Sequence, residues 1–181
     1  MRVIAGTHKG RRLKTPDWDG LRPTSDKLRE TLFNILAPRI AGARVLDAYA
    51  GTGAVGIEAL SRGAAAVTFV EQDRRAQALI EANLAQCRID TGYNLVRGTV
   101  EQAVAMLLVP GFEPFDIVLL DPPYAMPGHT ALMKIDALVA PDGVVVLEHA
   151  RHAPAPEQAG RLVRVRHIAS GDSMLTFYEI Q

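Results

Sequence analysis

The stretch Val45-Leu-Asp-Ala-Tyr-Ala-Gly-Thr-Gly-Ala-Val-Gly56 decides the fold of this chain. A short apolar run leads into a glycine-rich loop and then into residues that favour a helix, the order of a strand, a ligand-binding turn and a covering helix. Gly51, Gly53 and Gly56 have the G-x-G-x-x-G spacing, in which missing side chains let the backbone approach a ligand. The stretch therefore predicts a nucleotide-type cofactor site at the end of a strand.

Apolar runs alternate with helical periodicity along the rest of the chain. The pattern predicts strands near 44–48, 66–71, 93–97, 115–120 and 143–148, and helices near 54–62, 74–87, 99–108 and 129–139. This alternation is typical of a parallel sheet with helices on both faces. Two strands without a helix between them, 162–168 and 174–180, predict a terminal antiparallel hairpin. We expect an α/β fold, Rossmann-like, with a seven-stranded mixed sheet of the methyltransferase type.

The segment before the glycine loop has a different pattern. Residues 2–14 predict a small β-hairpin around the turn Gly6–Gly10. Thr24 or Ser25 can cap a helix from about residue 26 to residue 36, which we expect to end before Pro38. The sequence is accordingly divided into a basic N-terminal extension, 1–22, and a catalytic domain, 23–181.

Charge is unevenly distributed in a chain of zero formal net charge. Residues 1–39 hold nine Lys and Arg against four Asp and Glu, whereas residues 40–150 hold seven against thirteen. A basic leading segment favours contact with a polyanion, although a solvated basic face has the same composition. The single cysteine excludes an internal disulfide framework and a cysteine-rich zinc site. Without an apolar membrane-length stretch or an export signal, we expect a cytoplasmic location.

The glycine loop alone does not distinguish between cofactors. Glu71 follows Gly51 by twenty residues, at the end of the next predicted strand, where a carboxylate can accept from ribose hydroxyls. A nicotinamide dinucleotide is therefore the first competitor. Asp47 precedes the loop, and its negative charge suits a cationic amino-acid group better than a pyrophosphate. This favours S-adenosylmethionine, with its methionine end near Asp47, Gly51 and Gly53.

The second signature, Asp121-Pro-Pro-Tyr124, follows the apolar run 115–120. The Asp121 carboxylate and the Pro122 carbonyl can each accept one N–H of a planar amino group, and Tyr124 can stack on a base. An aromatic amine held in this way directs its lone pair toward a methyl donor. The alternative is that Asp-Pro-Pro only ends a strand. Together, the two signatures predict cofactor-dependent transfer to a base nitrogen.

The chain resembles the RsmD family, bacterial 16S ribosomal RNA guanine-N2 methyltransferases that use S-adenosylmethionine. The resemblance covers almost the whole chain and rests on Arg2-Val-Ile-Ala-Gly6, Lys9-Gly-Arg-Arg-Leu13, Leu21-Arg-Pro-Thr-Ser-Asp-Lys-Leu-Arg-Glu-Thr-Leu-Phe-Asn34, the stretch 46–63, Phe69-Val-Glu-Gln-Asp73 and Asp121-Pro-Pro-Tyr124. The Arg-Pro-Thr block is the discriminating one, since many methyltransferases share the others. The resemblance implies a class I fold and N2 methylation of one guanine in 16S rRNA, on an assembled or partly assembled 30S subunit. Nothing in the sequence demands more than a monomer, which is the state we expect.

The site residues fall into three groups. The expected catalytic residues are Asp121, Pro122 and Tyr124, and no metal ligand is expected. The expected cofactor-binding residues are Asp47, Tyr49, Gly51, Gly53, Glu71, Gln72, Thr99 and Asp121. The expected RNA-binding residues are Arg2, Lys9, Arg11, Arg12 and Lys14, whose charges suit phosphate contacts that position without specifying sequence.

Several assignments stay open. Thr99 stands where related enzymes often have an Asp or Asn that accepts from the adenine amine of the cofactor. The Thr99 hydroxyl or the backbone can make this contact instead. The roles of Arg22, Thr24 and Arg29 are undecided. Glu58 is expected on a helix surface and Asp73 at a helix start. Rival functions are amino-methylation of DNA adenine or protein glutamine, a non-catalytic rRNA-binding assembly factor, and a dehydrogenase. Enzymes that methylate DNA adenine or protein glutamine commonly have Asn before Pro-Pro-Tyr. This chain has Asp121 there, which favours guanine as the substrate.

Overall fold

The computed structural model describes residues 1–18, 24–123 and 125–181. The elements in these ranges are α1 (Asp26–Ile40), β1 (Arg44–Asp47), α2 (Ala54–Ser61), β2 (Ala66–Glu71), α3 (Arg74–Gln86), β3 (Tyr93–Arg97), α4 (Val100–Leu107), β4 (Phe115–Leu120), α5 (Gly128–Ile135), β5 (Val139–Ala150), β6 (Gln158–Ala159), β7 (Leu162–Ser170) and β8 (Ser173–Ile180). One turn of 3-10 helix, Asp136–Leu138, joins α5 to β5. No helix in these ranges has the length and apolarity needed to cross a membrane.

The strands form one mixed sheet in the order β3-β2-β1-β4-β5-β8-β7-β6. Strands β1 to β5 run parallel, and β8, β7 and β6 continue the sheet in antiparallel pairs. The predicted fold class is confirmed, but the described sheet has eight strands rather than seven. The additional strand, β6, pairs only two residues with β7, which is too short to produce an alternation in the sequence.

The winding direction reverses beside β1, because β1 pairs with β2 on one side and with β4 on the other. Two apolar cores cover the sheet. One face packs under α1, α2 and α3, with Phe33, Ile57 and Ile80 in the core. The other packs under α4 and α5, with Ala103 and Leu132. The carboxyl ends of the parallel strands consequently meet in one crevice at the point of reversal.

Helix α1 continues past the end predicted from Pro38. Ser25 caps it by accepting a hydrogen bond from Leu28 N at 3.2 Å, as the sequence indicated. The helix then runs to Ile40 with Pro38 inside it. Ile40 is buried in the core, and Arg39 pairs with Glu179 of β8 at 2.7 Å. These tertiary contacts hold the last turn although proline removes one helical hydrogen bond.

The N-terminal hairpin forms and is packed onto the main fold. Its two arms meet at an antiparallel bridge between Arg2 and Arg12. Val3 and Leu13 are buried in the same core as α1 to α3. The boundary at residue 22 lies outside the described residues, so the division into two domains stays a prediction.

Two charged side chains attach the hairpin to the helices. Glu58 is fully buried and accepts from Ile4 N at 2.7 Å and Ala5 N at 3.0 Å, so its expected place on the surface of a helix was wrong. Arg29 is also fully buried, donating to the Arg2 carbonyl at 2.7 Å and the Ala54 carbonyl at 3.3 Å. Arg29 therefore joins α1 to the hairpin and to the start of α2.

Candidate active site

A cleft of about 810 Å³ opens where the winding of the sheet reverses. The loops after β1, β2, β3 and β4 contribute to its wall, and the end of β5 and the β7–β8 turn close one side. Seven of the eight cofactor-site candidates line it, together with Pro122: Asp47, Tyr49, Gly51, Glu71, Gln72, Thr99 and Asp121. The eighth, Gly53, does not line the cleft, and a Cβ atom there would contact Ile80 of α3. Residues that are far apart in the sequence thus share one cavity of the size of a small-molecule site.

The glycine loop between β1 and α2 is held by two carboxylates. Asp47, at the end of β1, accepts from Gly56 N at 3.0 Å through Oδ2. Glu71, at the end of β2, accepts from Gly51 N at 2.8 Å and from Asp73 N at 2.8 Å. Gly51 and Gly53 have φ values of 54° and 75°, in the left-handed region that glycine adopts without strain. At Gly51 the loop therefore presents backbone alone to the cleft.

Several carboxyl groups line the cleft, among them Asp47, Glu71, Asp121 and Glu148. Burial raises the pKa of Asp47 to about 7; the Gly56 N–H opposes this rise and the Glu71 carboxylate adds to it. Asp121 opens onto the cleft, but surrounding protein shields its carboxyl from bulk water and raises its pKa to about 8, helped by Glu148 and Asp47. Carboxyl groups that resist ionisation together form a site suited to a cationic ligand.

The acid-proline turn follows β4 directly. Asp121, Pro122 and Pro123 line the cleft, and the Pro123 carbonyl accepts from Met126 N at 2.8 Å, which closes the turn. Tyr124 lies outside the described residues, so its expected stacking role stays a prediction. Since β4 is the parallel neighbour of β1, the turn faces the glycine loop across the crevice.

The remaining cofactor candidates differ in how their side chains are used. The Tyr49 hydroxyl donates to Met126 Sδ at 3.2 Å, and burial raises its pKa to about 12. Thr99 caps α4, where its hydroxyl accepts from Gln102 N at 3.3 Å within a capping box. Asp73 caps α3 by accepting from Arg75 N, as predicted. Because the Thr99 hydroxyl is used in capping α4, the backbone around Gly98 and Thr99 is the alternative contact for the adenine of a cofactor.

The five basic residues of the hairpin lie outside the described wall of the cleft. Arg2, Lys9, Arg12 and Lys14 are exposed. Arg11 is only half-exposed, and its guanidinium donates to the Cys87 carbonyl at the end of α3. Four cations are therefore presented to solvent, while Arg11 anchors the hairpin.

The structure adds cleft residues that sequence reasoning missed. Lys134 of α5 pairs with Glu101 of α4 at 2.6 Å, and this contact holds the pKa of Glu101 below its ordinary value. The Arg75 guanidinium lies 4.9 Å from the centre of the Trp18 ring. Glu148, near the carboxyl end of β5, lines the same cleft as Asp121 and contributes to its raised pKa. Only the position of Glu148 at the end of a predicted strand could have indicated it.

His149 and His152, which follow Glu148 in the sequence, are not arranged as metal ligands. Both ring nitrogens of His149 have partners, the Ala150 carbonyl at 3.0 Å and Thr176 Oγ1 at 2.8 Å. Within the described ranges, no group of three or more His, Cys, Asp or Glu side chains could hold a metal ion.

The reversed sheet, the glycine loop and the acid-proline turn in one cleft define a class I methyltransferase fold. The family described as conserved hypothetical protein 95 matches residues 1–179. The chain therefore belongs to this family, the RsmD family, as the resemblance indicated.

Individual relatives agree with this assignment. "Putative rRNA methyltransferase YlbH" of Bacillus subtilis (strain 168) is 38% identical over 99% of this chain and 98% of that protein. "Ribosomal RNA small subunit methyltransferase D" of Escherichia coli (strain K12) is 45% identical, over 68% of this chain and 60% of that protein. The solved structure of "Putative methyltransferase yhhF" from Escherichia coli superimposes with a TM-score of 0.83 at 34% identity, covering 100% of this chain and 99% of that one.

Proposed function

We propose that this protein transfers a methyl group from S-adenosylmethionine to the exocyclic N2 of a guanine in small-subunit ribosomal RNA. The observation that carries the proposal is the pairing of β1 with β4, which brings the Asp47–Gly53 loop and the Asp121-Pro122 turn to the same crevice. The names of the relatives, which are rRNA methyltransferases, support the class of substrate. The sequence at Asp121 supports guanine over adenine.

The cleft fits the cofactor in shape and charge. The glycine loop lines one wall of the cleft through Gly51, while Gly53 packs against α3, where a Cβ atom would lie 3.1 Å from Ile80 Cγ1. Asp47 would hold the amino-acid end and Glu71 the ribose, with Tyr49, Gln72 and Thr99 around the remainder. When bound, S-adenosylmethionine supplies an electrophilic methyl group on a positively charged sulfur. A positive ligand would favour ionised Asp47 and Asp121, whose pKa values are raised in the free protein.

The chemistry at the target nitrogen depends on orientation. The Asp121 carboxylate and the Pro122 carbonyl accept the two N–H groups, so the nitrogen lone pair points toward the methyl group. Tyr124 would stack on the base. The N2 nitrogen forms a bond to the methyl carbon as the carbon–sulfur bond breaks, and the surplus proton leaves through Asp121 or to water. With its raised pKa, Asp121 is a suitable acceptor for that proton.

The hairpin would dock on RNA outside the cleft. Arg2, Lys9, Arg12 and Lys14 are exposed and suit phosphate contacts. The target base must leave its stack to reach Asp121, which is easiest in a single-stranded loop. We place the reaction on an assembled or partly assembled 30S particle in the cytoplasm, carried out by a monomer.

The experiment is methyl transfer from labelled S-adenosylmethionine to 30S particles that lack native base methylation, followed by nucleoside analysis. We expect one N2-methylguanosine, lost in Asp121→Ala and retained in the control Asp90→Ala, which changes an exposed carboxylate before β3. Label in adenine or in protein would overturn the guanine assignment. RNA binding without transfer by the wild-type protein would favour an assembly factor.

A further inference from the structure

Two carboxylates lie on neighbouring chain segments in the part of the cleft where the target base would enter: Asp121 directly follows β4, and Glu148 lies near the carboxyl end of β5. β4 and β5 are parallel, with Leu120 opposite Leu147, so Asp121 and Glu148 are the next residues on adjacent strands. Neighbouring strands lie about 4.8 Å apart, within the span of one base edge. Both residues line the cleft. A base held at Asp121 would therefore meet Glu148 as well.

The Glu148 carboxylate is oriented by the β7–β8 turn. Ser173 Oγ donates to Glu148 Oε1 at 3.2 Å. A carboxylate has about four acceptor sites, so one that already holds protein contacts can still accept a hydrogen bond from a ligand. The negative charge of Glu148 also contributes to the raised pKa of Asp121, which is consistent with their proximity.

We propose that Glu148 accepts the N1–H of the target guanine while Asp121 and Pro122 hold the neighbouring N2 amino group. This inference rests on the proposed function and adds a residue that determines specificity. N1 and N2 are adjacent on the Watson–Crick edge of guanine, and both carry N–H donors. A base whose N1 has a lone pair, such as adenine or 2-aminopurine, would face Glu148 acceptor against acceptor. Two side-by-side carboxylates thus recognise the N1–H and N2–H donors as a unit.

The test compares guanine with 2-aminopurine, which keeps the N2 amino group and lacks the N1–H. Particles are rebuilt from 16S rRNA that carries either base at the position where the wild-type protein places its label. We expect wild-type kcat/KM to favour guanine by roughly ten- to hundredfold. Glu148→Gln should reduce this ratio at least tenfold and raise the rate on 2-aminopurine, because the glutamine amide can donate to the N1 lone pair. The guanine to 2-aminopurine ratio of kcat/KM is compared between the wild type and the variant. This comparison cancels the intrinsic reactivity of the two amines and any change in Asp121 that affects both substrates equally.

Two further variants make the outcome decisive. Glu179→Gln changes a carboxylate near the opposite end of the sheet, beside Val144, and should leave the ratio unchanged. Glu148→Asp keeps the charge but withdraws the acceptor, so kcat/KM on guanine should fall while that on 2-aminopurine is little changed. An unchanged ratio in both Glu148 variants, with wild-type N2-methylguanosine still formed, would overturn this inference alone. Absence of N2-methylguanosine in the wild-type reaction would overturn the proposed function and this inference together.

Discussion

The fully buried Glu58 carboxylate accepts a hydrogen bond from the backbone N–H of Ile4 at 2.7 Å, across 54 residues of sequence. The same carboxylate accepts from Ala5 N at 3.0 Å and from Arg62 Nε at 2.7 Å. Every one of these donors would lose its partner if Glu58 were removed. The Glu58 carboxylate is therefore the buried charged connection between the hairpin and α2, beside the hydrogen bonds that Ser61 makes to Thr7 and His8.

Glu58→Ala should lower the free energy of unfolding by about 3–5 kcal/mol, because it leaves two backbone N–H groups and the largely buried Arg62 without their acceptor. The measurement is urea unfolding, combined with limited proteolysis within residues 1–14. Glu81→Ala is the control, since Glu81 pairs with Arg97 on the exposed surface, and should cost less than about 1 kcal/mol. Equal losses in the two variants would contradict the anchoring role of Glu58.

The free protein should become less stable as pH rises from about 4 to about 8. Asp47 and Asp121 have folded pKa values of about 7 and about 8, above the ordinary value of 3.8. The folded state consequently binds more protons than the unfolded state in this range, and the free energy of unfolding falls with pH. The Asp47 contribution is on the order of 2–4 kcal/mol.

Urea unfolding at several pH values checks this dependence. Asp47→Asn should flatten the curve, because asparagine does not titrate and its carbonyl can still accept from Gly56 N. A wild-type curve that rises between these pH values, or an Asp47→Asn curve parallel to it, would contradict the prediction.

Gly56→Ala should destabilise the protein by roughly 1–3 kcal/mol through overpacking. A Cβ atom at Gly56 would lie 2.2 Å from Phe69 Cε1 and 2.9 Å from Val67 Cγ1, so the Phe69 ring would have to move. Thermal unfolding of Gly56→Ala, Phe69→Leu and the double variant measures the coupling. The cost of Gly56→Ala should be smaller when Phe69 is leucine, and an equal cost in both backgrounds would count against the clash.

Arg11 and Arg12 are adjacent but should have different effects. Arg12→Ala removes an exposed cation, so we expect weaker RNA binding and a salt slope, d log K/d log [salt], reduced in magnitude by about 0.7–0.9, with unchanged stability. Arg11→Ala removes the donor to the Cys87 carbonyl and should lower the melting temperature. Filter binding at several salt concentrations and thermal unfolding separate the two effects. The same outcome for both variants would argue against distinct roles.

Local sequence determined most of the element positions. Strands β2, β3 and β4 have the bounds predicted for them. For β2 and β4 the reason is that a largely buried strand is a nearly continuous apolar segment, whereas β3 is an edge strand with only Val96 buried. The glycine loop and the acid-proline turn were also predictable, since their backbone geometry depends on the residues themselves. The reversal of the strand order beside β1 was also predictable, because it is a general property of open parallel α/β sheets.

Only the tertiary structure decided which polar groups meet. Helical periodicity could not place Glu58 in the interior, because its partners at Ile4 and Ala5 come from a distant segment. The proximity of Asp121 to Glu148, 27 residues later, likewise depends on the register of β4 with β5, in which Leu120 lies opposite Leu147. A buried charge is tolerated only where folding brings donors or other charges to it, and that environment is a property of the packed chain rather than of any local stretch.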